Sequence, residues 1–229
     1  DVTENGIGEA TDILKDEPYE CPLAPFGGIE QLAWSNDSKS IAYTCRKKEG
    51  VEYAISTDSD IYLYDLETGK SRNLCKPEGY KEPAIDATKT MKDQAVNKQA
   101  GDMNVGYDQN PKFSPDGRYV AWLSMERNGY ESDRNRLCMY NLATGEKTYL
   151  TESFDSNVDD FCWSDTKDAM IYFIGVWPAT ETLYAIRKKG EVMQLAEYCA
   201  EFGSLRMLGD HKHILAERHS YGEPADLYV

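Results

Sequence analysis

Few residues in this chain have the type and spacing that covalent chemistry needs. The three histidines, His211, His213 and His219, cluster late, and no serine–histidine–aspartate relay stands around them. No Gly-x-Ser-x-Gly elbow is present, so the chain carries no α/β-hydrolase nucleophile. A P-loop and a Gly-x-Gly-x-x-Gly turn are also absent, which leaves no cofactor to expect. A metal centre needs three or four ligands in fixed geometry, and the spacing along the chain suggests none. The six cysteines, Cys21, Cys45, Cys75, Cys138, Cys162 and Cys199, form no Cys-x-x-Cys pair. They are expected as free thiols, with Cys21 and Cys75 the best candidates for a bridge. No catalytic residue is therefore assigned.

Binding chemistry is better represented. The segment Met125–Leu137, MERNGYESDRNRL, is rich in charge and carries Tyr130. Glu126, Arg127, Asp133 and Arg134 are expected either to form an ion-pair network that holds the segment, or to leave Glu126 or Asp133 facing a cationic group such as a free α-amine. Trp177, beside Pro178 in GVWPATE, either packs under its loop or belongs to a binding surface. Glu126, Tyr130 and Trp177 are the candidate substrate-binding residues. Asp116 reads as the cap of a tight turn. Trp34, Phe113 and Trp163 read as core packing.

The elements that must position these residues repeat along the chain. WSNDSKSIAY at Trp34–Tyr43, FSPDGRYVAW at Phe113–Trp122 and WSDTKDAMIY at Trp163–Tyr172 share one pattern, with a worn copy, MLGDHKHILA, at Met207–Ala216. Each is an apolar position, a polar turn and an apolar strand. A second hairpin phrase follows each: IYLYDLETGK from Ile61, LCMYNLATGE from Leu137, LYAIRKKGE from Leu183 and DLYV at Asp226–Val229. Two hairpins per unit, repeated at intervals of about 45–50 residues, is the pattern of a β-propeller blade. The fold is expected to be all-β, a propeller of four-stranded antiparallel blades in an incomplete ring of about four. The blades are placed at residues 28–75, 106–151, 156–197 and, in part, 200–229. Residues 1–27 are read as part of a preceding blade, with Thr11–Leu14 its last strand, and residues 76–105 as an insertion.

Within a blade, labelled A to D from its inner strand, the run Val120-Ala121-Trp122-Leu123 implies a B strand buried on both faces. The A–B and C–D turns are tight. The B–C loops, Arg46–Asp60, Glu126–Asn135, Gly175–Thr182 and Glu217–Ala225, are longer and lie with the insertion on one face of the disc. Loops on a rigid scaffold carry binding, so function is expected on that face.

Acidic residues outnumber basic ones 40 to 25, for a formal charge of −15. That argues against nucleic acid, whose phosphates need a basic stripe, and against an anionic membrane surface. No run approaches the about 20 apolar residues of a membrane span. Open blade edges favour self-association.

The stretches Gly106–Leu150, Ile29–Lys47 and Phe161–Trp177 together resemble the N-terminal propeller of the prolyl oligopeptidase family, in particular bacterial dipeptidyl aminopeptidases and acylaminoacyl peptidases. The resemblance implies a propeller that caps a C-terminal α/β-hydrolase domain of the same protein, admits short peptides and helps to hold their N-termini. The catalytic Ser–Asp–His residues would lie outside this chain. It also implies a periplasmic or secreted protein, with a cytoplasmic one as the alternative. Two further readings remain: a non-enzymatic propeller that holds a protein partner, and a propeller glycosidase or lyase. The last would need paired carboxylates on inner strands, where Asp159 and Asp160 are the one adjacent pair.

Overall fold

In the computed structural model the chain is described at residues 2–4, 6–15, 17–80, 88, 90, 104–129, 131–164, 170–176, 180–196, 200–210 and 212–229. A short hairpin, β1 (Val2–Thr3) and β2 (Gly6–Ile7), comes first. The first large sheet holds β3 (Leu32–Trp34), β4 (Ser40–Cys45), β5 (Asp60–Asp65) and β6 (Lys70–Asn73), with the short helix α1 (Gly50–Ile55) between β4 and β5. The second holds β7 (Asp108–Phe113), β8 (Tyr119–Ser124), β9 (Arg136–Asn141) and β10 (Lys147–Tyr149). The third holds β11 (Val158–Trp163), β12 (Ile171–Val176), β13 (Glu181–Ile186) and β14 (Met193–Gln194). The last has three strands, β15 (Glu201–Met207), β16 (Ile214–Ser220) and β17 (Glu223–Tyr228). Every pairing within these sheets joins neighbours in sequence and is antiparallel. This is the blade pattern, and the described sheets close no ring.

Local sequence explains the hairpins. Asp116 Oδ1 accepts hydrogen bonds from Ser114 Oγ (2.7 Å) and the Arg118 amide (3.0 Å), while Gly117 takes φ +68°. Asp-Gly supplies both the cap and the left-handed backbone that so tight a turn requires. Asp37 and Asn141 cap the equivalent turns of their own hairpins.

The sheets stack through strands with two apolar faces. All of β8 is buried. Val120 and Trp122 pack with Ala42, Ile61 and Leu74 of the first sheet. Tyr119, Ala121 and Leu123 turn the other way, onto Phe161, Trp163, Ile171 and Phe173 of the third. Side chains alternate across a strand, so an unbroken apolar run serves two neighbours at once. A smaller cluster, Cys162 and Ile174 with Leu205 and Ala216, joins the third sheet to the last.

The inner strands are also tied by one polar side chain. Asp160 Oδ1 pairs with Lys112 Nζ at 2.7 Å, and its Oδ2 accepts the Leu205 amide at 3.0 Å. One carboxylate on β11 thus holds β7 and β15. Each of these inner strands carries a register shift near its start, between Gln109 and Lys112, Val158 and Asp160, and Gly203 and Arg206. Asn110 (φ +59°) and Ser204 (φ +52°) sit in the left-handed region inside two of them. Such bulges re-aim side chains.

Three sequence expectations need correction. Thr11–Leu14 forms no strand; Asp12 Oδ1 instead accepts the Leu14 amide at 2.9 Å, an Asx-type turn that competes with strand pairing. Glu217–Ala225 is no long loop, because β16 and β17 run on to a tight turn at Tyr221–Gly222. Trp34 is 60 % exposed and not core, since the outer side of the first sheet is covered mainly by Leu14, Tyr19 and Cys21, around Tyr43 and Tyr62. The described cysteines are free thiols as expected, and the candidate Cys21–Cys75 bridge does not form: Cys21 belongs to that outer cluster, while Cys75 packs between the first two sheets.

Replacing Asp160 by Ala strands the Leu205 amide and leaves the Lys112 ammonium with the Phe161 carbonyl alone. The expected loss in chemical denaturation is about 1–3 kcal/mol. Asp160→Asn, which keeps an acceptor, is expected to lose less. Equal losses would show that the hydrogen bonds contribute nothing.

Candidate functional site

The loop face is the side of the sheets where β5, β7, β9, β11, β13 and β15 begin. Two polar clusters lie there.

The first is buried where the first and second sheets meet. The amide of Asp108 donates to the Ser59 carbonyl (3.1 Å), and Ser59 Oγ donates to the Asp108 carbonyl (3.0 Å). Around this stitch lie Lys76, whose ammonium bonds Asp58 (2.8 Å) and Asp60 (3.1 Å), and Lys48, which bonds Asp58 at 2.8 Å. All four side chains are at most 6 % exposed. Asp108 Oδ1 accepts from Trp122 Nε1 (2.7 Å) and Asn104 Nδ2 (3.2 Å). Arg136 Nη2 donates to Asn104 Oδ1 at 3.1 Å. Burial pushes the Asp60 carboxyl up to about 6; Lys76 opposes the rise, while Asp58 and Asp108 add to it. Burial likewise raises Asp108 and lifts the Cys75 thiol well above its usual range. Desolvation works against the Lys76 ammonium, but the charges of Asp60 and Asp58 outweigh it, so its pKa rises.

The B–C loops dock on one another above this cluster. Asn128 Oδ1 accepts from the Thr57 amide (2.9 Å) and Ser56 Oγ (3.0 Å), and the Gly129 amide donates to Thr57 Oγ1 (2.8 Å). A Cβ added to Gly106 would meet the Met125 carbonyl oxygen at 2.5 Å, so only glycine fits beside this loop.

The second cluster is more open and lies between the third and last sheets. Asp159 sits in the β11 register shift. Glu181 opens β13, Glu201 opens β15, and His219 lies near the end of β16 with Nε2 3.2 Å from Glu201 Oε2. Asp159 Oδ1 accepts from Asn157 Nδ2, whereas its Oδ2 is buried and has no partner among the described residues. Burial raises the Asp159 pKa. Burial, then the charges of Asp159 and Glu201, raises that of Glu181, with His219 opposing. Glu181, pressed by the charges of Asp159 and Glu201, and Asp159, with an unused oxygen, suit a cationic hydrogen-bond donor.

Of the residues singled out from sequence, Glu126 is half-buried directly after β8 on the loop face. Tyr130 and Trp177 fall outside the described residues, as do Cys199, His211 and Asp165. The expected ion-pair network is present in part. Arg127 Nε bonds both oxygens of Asp133 (2.9 and 3.0 Å), but Arg134 donates to the carbonyls of Phe154 and Glu152. Sequence reasoning missed Asp58, Lys76 and Asn104, and it left Glu181 and Glu201 unassigned. The available signal was charge placed at predicted strand starts, as in the run Asp58-Ser59-Asp60 before an apolar strand.

Stacked, inner-to-outer antiparallel sheets with elaboration on one face define a β-propeller segment. No family model matches the chain. It is 40 % identical over 229 residues to dipeptidyl-peptidase 5 of Porphyromonas gingivalis and 38 % identical over 228 residues to that of Porphyromonas endodontalis. Each match takes in 99 % of this chain and 29 % of the relative, so the chain spans about three-tenths of the length of these curated relatives. The acylaminoacyl peptidase of Pyrococcus horikoshii shares the fold, with a TM-score of 0.57 over 86 % of this chain and 25 % of that one, at 16 % identity. Over 99 % of its length this propeller segment is thus similar to one part of the dipeptidyl-peptidase 5 proteins.

Two outcomes test the buried cluster. Lys76→Met leaves Asp58 and Asp60 short of a counter-charge and is expected to lose about 3–5 kcal/mol in urea unfolding; a loss below about 1 kcal/mol contradicts the buried pairing. Because the folded state raises the Asp60 pKa from 3.8 to about 6, its contribution is complete below pH 3.8 and lost as pH rises through about 6. Asp60→Asn should remove that part of the pH slope. An unchanged slope would mean Asp60 does not titrate there.

Proposed function

We propose that this chain is the substrate-gating propeller portion of a serine-type dipeptidyl aminopeptidase, and that its loop face holds the free N-terminus of a short peptide. Homology to dipeptidyl-peptidase 5 proteins along 99 % of the chain carries the reading. A peptide entering such an enzyme presents an ammonium with up to three N–H donors. The unpartnered Asp159 Oδ2, backed by Glu181 and Glu201, offers matching acceptors in a partly desolvated place. A charge-assisted hydrogen bond there is stronger than a neutral one. The chain itself holds no hydrolase nucleophile, so bond cleavage belongs to a catalytic domain of the same protein, acting by the serine mechanism. Glu126, on the same face, is proposed as a further contact, as are Tyr130 and Trp177. A periplasmic or secreted setting suits an enzyme that trims peptides.

The test uses the whole enzyme. Asp159→Asn and Glu181→Gln are expected to raise KM for substrates with a free α-amine by about 10–100-fold, the worth of one charged hydrogen bond, with a smaller change in kcat. Unchanged kcat/KM in both variants would remove the acidic cluster from substrate binding. Absence of dipeptide release by the unaltered enzyme would overturn the peptidase reading itself.

Made alone, the 229-residue chain is also proposed to self-associate. The β17 edge exposes Leu227, Tyr228 and Val229, and unpaired edges recruit strands. A monodisperse monomer in light scattering would count against this.

A further inference from the structure

The buried cluster holds two atoms that the ion pairs do not use. Asp60 Oδ1 and Asp108 Oδ2 are both out of contact with solvent and have no hydrogen-bond partner among the described residues. A carboxylate oxygen of each, together with Cys75 Sγ, forms a group whose atoms all lie within 4.8 Å of one another. The three residues are 4 %, 1 % and 3 % exposed. A buried carboxylate oxygen without a donor is unfavourable, and both residues that carry one belong to this group.

Each of the three is held in a way that leaves one electron pair free. Asp60 Oδ2 is taken by Asn73 Nδ2 (2.8 Å) and Lys76 Nζ (3.1 Å), which fixes the carboxylate and frees Oδ1. Asp108 Oδ1 is taken by Trp122 and Asn104, and Ser124 also acts on the carboxylate, while Oδ2 has no hydrogen bond of good geometry among the described residues. Cys75 Sγ accepts the Ile61 amide at 3.2 Å, and Asn73 Oδ1 accepts the Cys75 amide at 2.7 Å. The sulfur is therefore oriented as an acceptor. Outer hydrogen bonds that fix one atom of a ligand and aim the other are the usual surroundings of a metal site.

Charge points the same way. Asp58, Asp60 and Asp108 bring three negative charges, and Lys48 and Lys76 bring two positive ones. A thiolate at Cys75 would raise the surplus to two negatives before Lys147 is counted, so the cluster carries net negative charge for a cation. Lys147, on β10, approaches from the outer side and donates to the Cys75 carbonyl at 3.0 Å. Arg136 spends its charge on Glu152 at 3.0 Å. A hard ion such as Ca²⁺ or Mg²⁺ would not choose sulfur, whereas zinc accepts both thiolate and carboxylate ligands, and a water can complete its tetrahedron.

We propose that Asp60, Cys75 and Asp108 form a buried binding site for a zinc-class divalent ion, structural in role, which joins the first sheet to the second. On binding, the thiol proton leaves to solvent and sulfur, Asp60 and Asp108 each donate an electron pair to the metal. No electron is transferred. Residues from the end of one blade and the start of the next would share one ion, as they already share the Ser59–Asp108 hydrogen bonds.

The test is direct metal binding by the purified chain after chelator treatment and dialysis. Titration with Zn²⁺ is expected to show one ion per chain with a rise in Tm. Titration with Co²⁺ is expected to give a thiolate-to-cobalt charge-transfer band. Cys75→Ser, close in size to the native residue, should abolish the band and weaken Zn²⁺ binding at least tenfold, the minimum expected even for loss of an outer partner. Asp108→Asn should weaken it as well; if that variant fails to fold, the Cys75→Ser comparison decides alone. No Zn²⁺ bound by the wild-type chain, or equal affinity in Cys75→Ser, overturns the site.

Discussion

The Lys76 ammonium, enclosed between Asp58 and Asp60, fixes the side of the first sheet that meets the second through the Ser59–Asp108 hydrogen bonds. Its removal from water is costly and is offset only if both carboxylates stay in place. That requirement pins the start of β5, where Asp60 stands, and the chain just beyond β6, where Lys76 stands. Asp108 joins the same cluster from the second sheet and holds Trp122 by its indole nitrogen. Trp122 is in turn a main contact of β8 with the first sheet. The ion pairs thus set the orientation of a stacking surface whose affinity comes from apolar burial.

A division of labour follows along each sheet. The middle of the strands is apolar on both faces and supplies cohesion between neighbours. The tight-turn face carries capped hairpins of short polar residues. The loop face gathers titratable groups, buried between the first two sheets and more open between the last two. Bulges near the starts of β7, β11 and β15 turn side chains out of the regular alternation on that face. Asp159 and Asp160 show the consequence. One ties three inner strands together, while its neighbour, displaced by the register shift, keeps an oxygen free.

Much of the fold is legible in the sequence because its signals are local. Pro-Asp-Gly before Tyr119 dictates a turn, and four apolar residues in a row dictate a doubly covered strand. The site is less legible because its contacts are long-range. Nothing near Lys76 in sequence shows that its ammonium will meet Asp58 and Asp60, and nothing near Asp108 places Cys75 beside it. Glu126 stands out in sequence only by its loop, and it lies on the loop face. The carboxylates that converge, Asp159, Glu181 and Glu201, come from the starts of three strands, and only the stacking of sheets brings them together. Trp34 was misread because an aromatic in a repeat looks like core wherever it stands, while its burial depends on what covers that side of its own sheet.

Native-state hydrogen exchange at the junction of the first two sheets tests most directly whether the buried ion network makes them one cooperative unit. If it does, the amides of Asp108, bonded to Ser59, and Ile61, bonded to Cys75, exchange only with the same large opening that exposes the centre of β8. Exchange of Asp108 and Ile61 through a small local opening, while Val120 and Trp122 stay protected, would contradict it.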